Sequence, residues 1–157
     1  MIHKIAPSTF SIVAYDSEAE EWGVGVQSKF LAVGAAVPWA RAGAGAVATQ
    51  SYCNTSYGPD GLDLMAQGLS AQEALDRLVA ADEGRARRQA GLVDAQGRPA
   101  TFTGDECHDW AGGLTGKHYA VQGNILVSGA TVEAMAKAFE EAQGELADRL
   151  VTALAAG

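Results

Sequence analysis

The sequence contains little cysteine and has fewer basic than acidic residues. Only Cys53 and Cys107 occur in 157 residues, which is too few for the disulfide frameworks of small secreted domains. We therefore expect both thiols to be reduced. Lysine and arginine number 11 against 19 acidic residues, for a formal net charge of −8. This balance disfavours a nucleic acid or an anionic membrane surface as a partner.

Long apolar segments are also missing. No run approaches the ~20 apolar residues that cross a bilayer, and residues 1–8 lack the apolar region of a secretory signal. We expect a cytoplasmic protein with no membrane partner. Aromatic residues make up 7% of the chain, whereas hydrophobic residues make up 48% and glycine occurs 19 times. Such small residues favour sheets whose backbones approach closely.

The apolar pattern predicts runs of strands and runs of helices. Strands are predicted where apolar residues alternate, at residues 9–16, 22–27, 43–50, 89–94, 99–103 and 119–127. Helices are predicted at 59–68, at 70–79 behind a Ser70–Glu73 capping box, and at 131–156, where Gly144 kinks or divides the helix. This order does not alternate strand and helix singly, which favours a layered α+β fold with antiparallel strands.

Two glycines lie on the same face of the second predicted strand. Gly23 and Gly25 alternate with Trp22, Val24 and Val26. Glycine at such positions indicates that another element or a ligand lies very close to the backbone there.

Five segments of the chain, taken in order, resemble one known family. They are TFSIVA at 9–14, WGVGVQSKFLAVG at 22–34, VPWARAGAGAVATQ at 37–50, YGPDGL at 57–62 and YAVQGN at 119–124. These segments resemble the DUF1028 family of bacterial and archaeal proteins, which is placed in the N-terminal-nucleophile (Ntn) hydrolase superfamily. The resemblance extends from Thr9 to about Gly157, and the name of the family records that its function is unassigned.

The resemblance implies a four-layer αββα sandwich with antiparallel sheets, and the hydrolysis of an amide bond. In Ntn hydrolases a Thr, Ser or Cys at the start of a strand is the nucleophile, and its free α-amine is the general base. Thr9 occupies the matching position. Ser28 and Lys29, at the end of the next strand, are the nearest candidates for modulating that amine. A cation there would lower the amine's pKa and keep it neutral.

The chain departs from the family pattern at both ends. Eight residues precede Thr9. Ordinary removal of Met1, which the bulky Ile2 disfavours, would not expose the Thr9 amine. A free Thr9 amine therefore requires cleavage after Ser8. We interpret residues 1–8 as a leader or propeptide and 9–157 as a single domain. Relatives commonly continue beyond the last helix. We therefore expect either that this chain is a fragment or that another polypeptide completes it, and we expect a homodimer.

The candidate site residues also have structural interpretations. Thr9 is a β-branched residue of the kind that commonly opens a strand, and Lys29 is a typical surface lysine. Gln50, Asn54 and Asn124 lie near predicted strand ends, where amides either bind a substrate carbonyl or satisfy the backbone of a loop.

A metal site is not expected. Residues 105–109 contain Asp, Glu, Cys and His, but adjacent residues of an extended chain point to opposite sides and cannot all reach one ion. No cofactor is predicted either. A cysteine nucleophile at Cys53 or Cys107, assisted by His108 or His118, remains an alternative that rests on residue type alone.

Two functional hypotheses follow. The first is an Ntn-type amidohydrolase that cleaves a small amide or peptide with Thr9 as the nucleophile. The second is a non-catalytic domain on the same fold that binds a ligand or mediates assembly.

Overall fold

The computed structural model describes residues 7–157, which form eight strands and four α-helices. The strands are β1 Thr9–Asp16, β2 Glu21–Ser28, β3 Pro38–Arg41, β4 Gly45–Ser51, β5 Arg88–Asp94, β6 Pro99–Thr103, β7 Gly112–Gly116 and β8 Tyr119–Asn124. The helices are α1 Tyr57–Ala66, α2 Ala71–Ala81, α3 Ala130–Glu141 and α4 Leu146–Ala156. Residues 1–6, most of the predicted leader, lie outside the described part of the chain.

The strands form two antiparallel sheets of four. Sheet I has the order β2-β1-β8-β7, and sheet II has the order β3-β4-β5-β6. Every paired strand within each sheet runs antiparallel to its neighbour. The predicted α+β class with antiparallel sheets is therefore confirmed.

Three apolar cores hold the elements together. The first joins sheet II to α1 and α2, and the second joins sheet I to α3 and α4. The third lies between the sheets and is built from small residues, namely Val13, Val37, Ala46, Ala48, Val93 and Ala120. Because successive residues of a strand face opposite sides, Ile12 contributes to the second core and Val13 to the third. Strand β1 is thus covered on both faces.

The glycines of β2 accommodate helix α4. A Cβ atom on Gly23 would lie 2.6 Å from Leu150 Cδ1, and one on Gly25 would lie 3.1 Å from Leu154 Cδ1. The predicted close approach is confirmed, and the approaching element is a helix.

Sequence analysis missed two strands, β3 and β7, which lie at the edges of the sheets. Pro38 was expected to interrupt a ladder, yet it is the first residue of β3 and pairs with Ala48. Proline is tolerated at the first position of an edge strand, where its missing N–H is not needed. Strand β7 is short and contains three glycines, Gly112, Gly113 and Gly116, so it shows no apolar alternation.

The last predicted helix is divided. Helix α3 ends at Glu141, and α4 begins at Leu146. The C-cap residue Ala142 is already extended. Between the two helices Gly144 adopts φ of 100°, a conformation that residues with a side chain rarely adopt. None of the helices within residues 7–157 is long and apolar enough to cross a membrane.

We predict that Gly91→Ala destabilises the protein by about 2 kcal/mol through overpacking between the sheets. A Cβ at Gly91, on β5, would lie 2.0 Å from the side-chain oxygen of Gln122 on the opposite sheet. Urea unfolding measures the effect. Gly34→Ala is the matched control, since its Cβ would meet no atom within 4 Å, and it should change stability by less than about 0.5 kcal/mol. Equal stability of the two variants would contradict the prediction.

Candidate functional site

A cavity of about 600 Å³ lies at the end of the two sheets where β1 begins. Antiparallel pairing explains its position. Thr9 at the start of β1 pairs with Asn124 at the end of β8, and Ser51 at the end of β4 pairs with Arg88 at the start of β5. Four strand ends from both sheets therefore meet at one place. The cavity is lined by Pro7, Thr9, Phe30, Val33, Ala36, Val37, Gln50, Ser51, Tyr52, Cys53, Arg88, His108, Asn124 and Ile125.

Thr9 is nearly buried in the wall of this cavity, with 7% of its surface exposed. Its Oγ1 lies 2.8 Å from the hydroxyl of Ser28. The Ser28 hydroxyl donates its hydrogen to the carbonyl oxygen of Ser8 at 2.9 Å, and it accepts a hydrogen bond from the amide of Phe30. Because a serine hydroxyl carries one hydrogen, Thr9 must be the donor to Ser28. Ser28 thus contacts both residues of the Ser8–Thr9 peptide bond.

The structure brings four of the six predicted site residues together. Thr9, Gln50 and Asn124 line the cavity, and Ser28 contacts Thr9. Lys29 is exposed and is not among the lining residues. The amide nitrogen of Asn54 donates instead to Asp82 at 3.1 Å, in a neighbouring groove.

Among residues 7–157, the arginine or lysine that lines the cavity is Arg88, which sequence analysis did not identify. Its Nε lies 2.8 Å from Asp82 Oδ2, and its Nη1 donates to the carbonyl oxygen of Tyr52. Hydrogen bonds from Arg88 first, and from Asn54 and the Gly84 amide as well, hold the pKa of Asp82 well below its usual range. The ion pair fixes the guanidinium at the start of β5. An arginine immediately before a buried strand was the available sequence signal.

The cysteine alternative finds little geometric support. Cys53 lines the cavity, but its Sγ donates to the Thr49 carbonyl oxygen at 3.2 Å and burial raises the pKa of its thiol. A raised pKa disfavours the thiolate, which is the nucleophilic form. Within residues 7–157 neither cysteine sulfur makes a hydrogen bond to a histidine ring. His108 instead lies 3.2 Å from the Tyr52 hydroxyl.

Residues 105–109 form a turn and bends rather than the expected extended segment, and their side chains diverge. Glu106 pairs with Arg87 at 2.8 Å, the Cys107 thiol donates to the Arg88 carbonyl oxygen, and His108 contacts Tyr52. Across residues 7–157 no three His, Cys, Asp or Glu side chains are grouped so that they could hold a metal ion.

A network of buried amides extends from the cavity into the space between the sheets. Gln50, Gln89 and Gln122 are 0–1% exposed. Ser11 Oγ donates to Gln50 at 2.7 Å, Gln50 donates to Gln89 at 2.8 Å, and Gln122 donates to Ser11 Oγ at 2.6 Å. Sequence analysis missed Gln89 and Gln122. Their signal was a glutamine in each of two predicted strands that are rich in apolar residues.

We predict that Asp82→Asn lowers the free energy of unfolding by about 2 kcal/mol at pH 7, because partly buried Arg88 loses a charged partner. The lowered pKa of Asp82 means that the folded state binds fewer protons than the unfolded state. The stabilisation is therefore present above about pH 4 and is lost as the pH falls further. Urea unfolding of wild type and variant at several pH values measures this difference.

The control for this prediction is Asp63→Asn. Asp63 pairs with Arg41 at 2.7 Å, but its side chain is 60% exposed, so the change should stay within about 0.5 kcal/mol. A loss at Asp82 that is as small as the loss at Asp63, or that is unchanged at pH 3, would contradict the prediction.

Comparisons with known proteins agree with this architecture. The crystal structure of protein SPO2555 from Silicibacter pomeroyi, which carries the DUF1028 family model, matches with a TM-score of 0.92 and 33% sequence identity. The match covers 95% of this chain and 69% of that protein's chain. None of the curated proteins matches this sequence. The model of the family of unknown function DUF1028 matches residues 9–157. The chain therefore belongs to the DUF1028 family.

Proposed function

We propose that this protein is an Ntn-type amidohydrolase that cleaves a small amide or peptide with Thr9 as its nucleophile. The observation that carries the proposal is the position of Thr9. It is the first residue of a central strand, it lines a cavity of about 600 Å³, and its hydroxyl is held by Ser28. A nucleophile requires this kind of fixed position beside a space for substrate.

The arrangement of layers supports the same assignment. Helices α1 and α2 cover sheet II, α3 and α4 cover sheet I, and the two sheets pack on each other. We propose that this arrangement is the four-layer αββα sandwich of the Ntn hydrolases, with Thr9 in the position of their nucleophile.

The proposed reaction begins with cleavage of the Ser8–Thr9 bond. The Ser28 hydroxyl polarises the Ser8 carbonyl by donating to its oxygen. The Thr9 Oγ1 adds to the Ser8 carbonyl carbon, the C–N bond breaks, and the nitrogen leaves as the Thr9 α-amine with the hydroxyl proton. Water then hydrolyses the resulting ester. The products are a free carboxylate on Ser8 and a free amine on Thr9.

The free Thr9 amine then acts as the general base in each turnover. It takes the Oγ1 proton as Oγ1 attacks the substrate carbonyl, and it returns that proton to the leaving amine when the C–N bond breaks. Water hydrolyses the acyl ester on Thr9 and regenerates the hydroxyl. In this scheme Lys29 acts only through its charge. Because its side chain is exposed, solvent screens that charge and its effect is small.

A ligand-binding role without turnover is the second candidate. Pro7 forms part of the cavity wall in the uncleaved chain, so the cavity exists while the Thr9 nitrogen is still a peptide nitrogen. A binding domain needs no more than this cavity.

We predict that intact-mass analysis of purified protein detects a species that begins at Thr9, and that Thr9→Ala abolishes it. Hydrolysis of a panel of small amides, followed by amine release, should fall on the order of 10³-fold or more in Thr9→Ala. Thr55→Ala, at an exposed threonine, is the matched control and should leave both results unchanged.

The two candidate functions give opposite results. The amidohydrolase proposal fails if the Thr9 species is absent and amide turnover is the same in Thr9→Ala as in wild type. Binding without turnover is supported if an amide raises the melting temperature of Thr9→Ala and of wild type equally while neither protein hydrolyses it.

A further inference from the structure

The side-chain amide of Gln89 has only one possible orientation. Its Nε2 lies 2.8 Å from the carbonyl oxygen of Gly123, 3.3 Å from that of Gly112 and 2.9 Å from Thr103 Oγ1. Carbonyl oxygens only accept hydrogen bonds, so the nitrogen of Gln89 must be on this side. Its oxygen Oε1 therefore faces the opposite way, toward Gln50 and Asn124.

The orientation of Gln89 determines that of its two neighbours. Gln89 Oε1 only accepts, so Gln50 must present Nε2 to it, at 2.8 Å, and Asn124 must present Nδ2 to it, at 3.0 Å. Gln50 is also fixed from its other end. Gln122 Nε2 lies 3.3 Å from the Ser11 carbonyl oxygen, which only accepts, and it donates to Ser11 Oγ as well. The one hydrogen of the Ser11 hydroxyl is then left for Gln50 Oε1. Both anchors require the same orientation of Gln50.

The side-chain amides of Gln50 and Asn124 differ in the hydrogen-bonding groups that remain free for a ligand. The Gln50 nitrogen uses its two hydrogens on Gln89 Oε1 and on the Gln122 carbonyl oxygen at 3.4 Å, and its oxygen accepts from Ser11. Asn124 uses one Nδ2 hydrogen on Gln89. Within residues 7–157 no donor reaches its oxygen Oδ1. Asn124 lines the cavity, and its Oδ1 is not one of the fully buried polar atoms that lack a partner, so this oxygen is open to a ligand in the cavity.

We infer that Gln89 is a positioning residue that holds Asn124 Oδ1 as a hydrogen-bond acceptor in the cavity, and that the cavity selects ligands with an N–H group at this point. Thr9 is the β-sheet partner of Asn124, and side chains of directly paired residues lie about 5 Å apart on one face. The selected N–H therefore lies beside Thr9. Secondary amides fit this requirement, whereas esters place an oxygen lone pair against Asn124 Oδ1. The inference rests on the proposed use of the cavity for an amide ligand, but it does not require turnover.

The test compares N-methylhexanamide with methyl hexanoate, which differ only in an N–H group in place of an ester oxygen. Dissociation constants are measured by NMR titration of the full chain. Wild type should bind the amide about tenfold more tightly than the ester, because one hydrogen bond is replaced by a contact between two acceptors. The amide should also shift the Asn124 Nδ2 resonances more than the ester does.

Variants assign the preference to the two residues. Gln89→Met frees the Asn124 amide to rotate and should reduce the preference to less than about threefold. The matched control Gln72→Met lies on exposed α2 surface and should keep it. Asn124→Leu removes the acceptor itself and should lose the preference. This variant decides the matter if Gln89→Met does not fold.

Equal binding of the two compounds by wild type, or binding of neither, would overturn the inference. A preference that survives in both Gln89→Met and Asn124→Leu would overturn it too. The ratio is also measured in Thr9→Ala, which has no nucleophile and no free Thr9 amine. A preference for the amide that persists in Thr9→Ala supports the role of Asn124 even if the proposed hydrolysis fails. Turnover by wild type without a preference would support the proposed function and contradict this inference.

Discussion

The hydrogen bonds among the buried amides between the two sheets are the interaction on which the site depends. Ser11, Gln50, Gln89 and Gln122 are at most 1% exposed, and their side chains hydrogen-bond to one another. Satisfied amides in such a place fix the distance and register of the two sheets, because an unpaired amide would cost more than the bond gains. The ends of β1, β4, β5 and β8 are thereby held in a fixed relation around the cavity.

The interface between the sheets has two chemically different halves. Farther from the cavity it is a dry packing of Val13, Ala46, Ala48, Val93 and Ala120. Nearer the cavity the same strands carry hydroxyls and amides. The small residues let the sheets come close enough for the amides to bond across the gap, and Gly91 leaves room for the side-chain oxygen of Gln122. Packing in one half therefore makes the polar geometry of the other half possible.

The neighbouring ion pair has a similar positioning effect at the rim of the cavity. Arg88 and Asp82 hold each other at 2.8 Å, and Arg88 also binds the carbonyl oxygen of Tyr52. Asp82 in turn binds Asn54. Asn54, predicted as a ligand-binding amide, thus helps to anchor the loop after β4. Of the two cations Arg88 and Lys29, Arg88 lines the cavity.

The sequence by itself determined the class of the fold, the central strands, the capped helix α2 and the position of Thr9 at the head of a strand, because apolar periodicity and capping are local properties of the chain. It did not reveal the edge strands β3 and β7, because Pro38 opens the first and glycine occupies three of the five positions of the second. Only the tertiary structure decided which polar residues share a site. Gln89 and Gln122 are far from Thr9 along the chain, and strand pairing and the packing of the sheets bring them to it. The same packing also places carbonyl oxygens, which only accept hydrogen bonds, beside the Gln89 side chain. These oxygens decide the orientation of the Gln89 amide and, through it, those of Gln50 and Asn124.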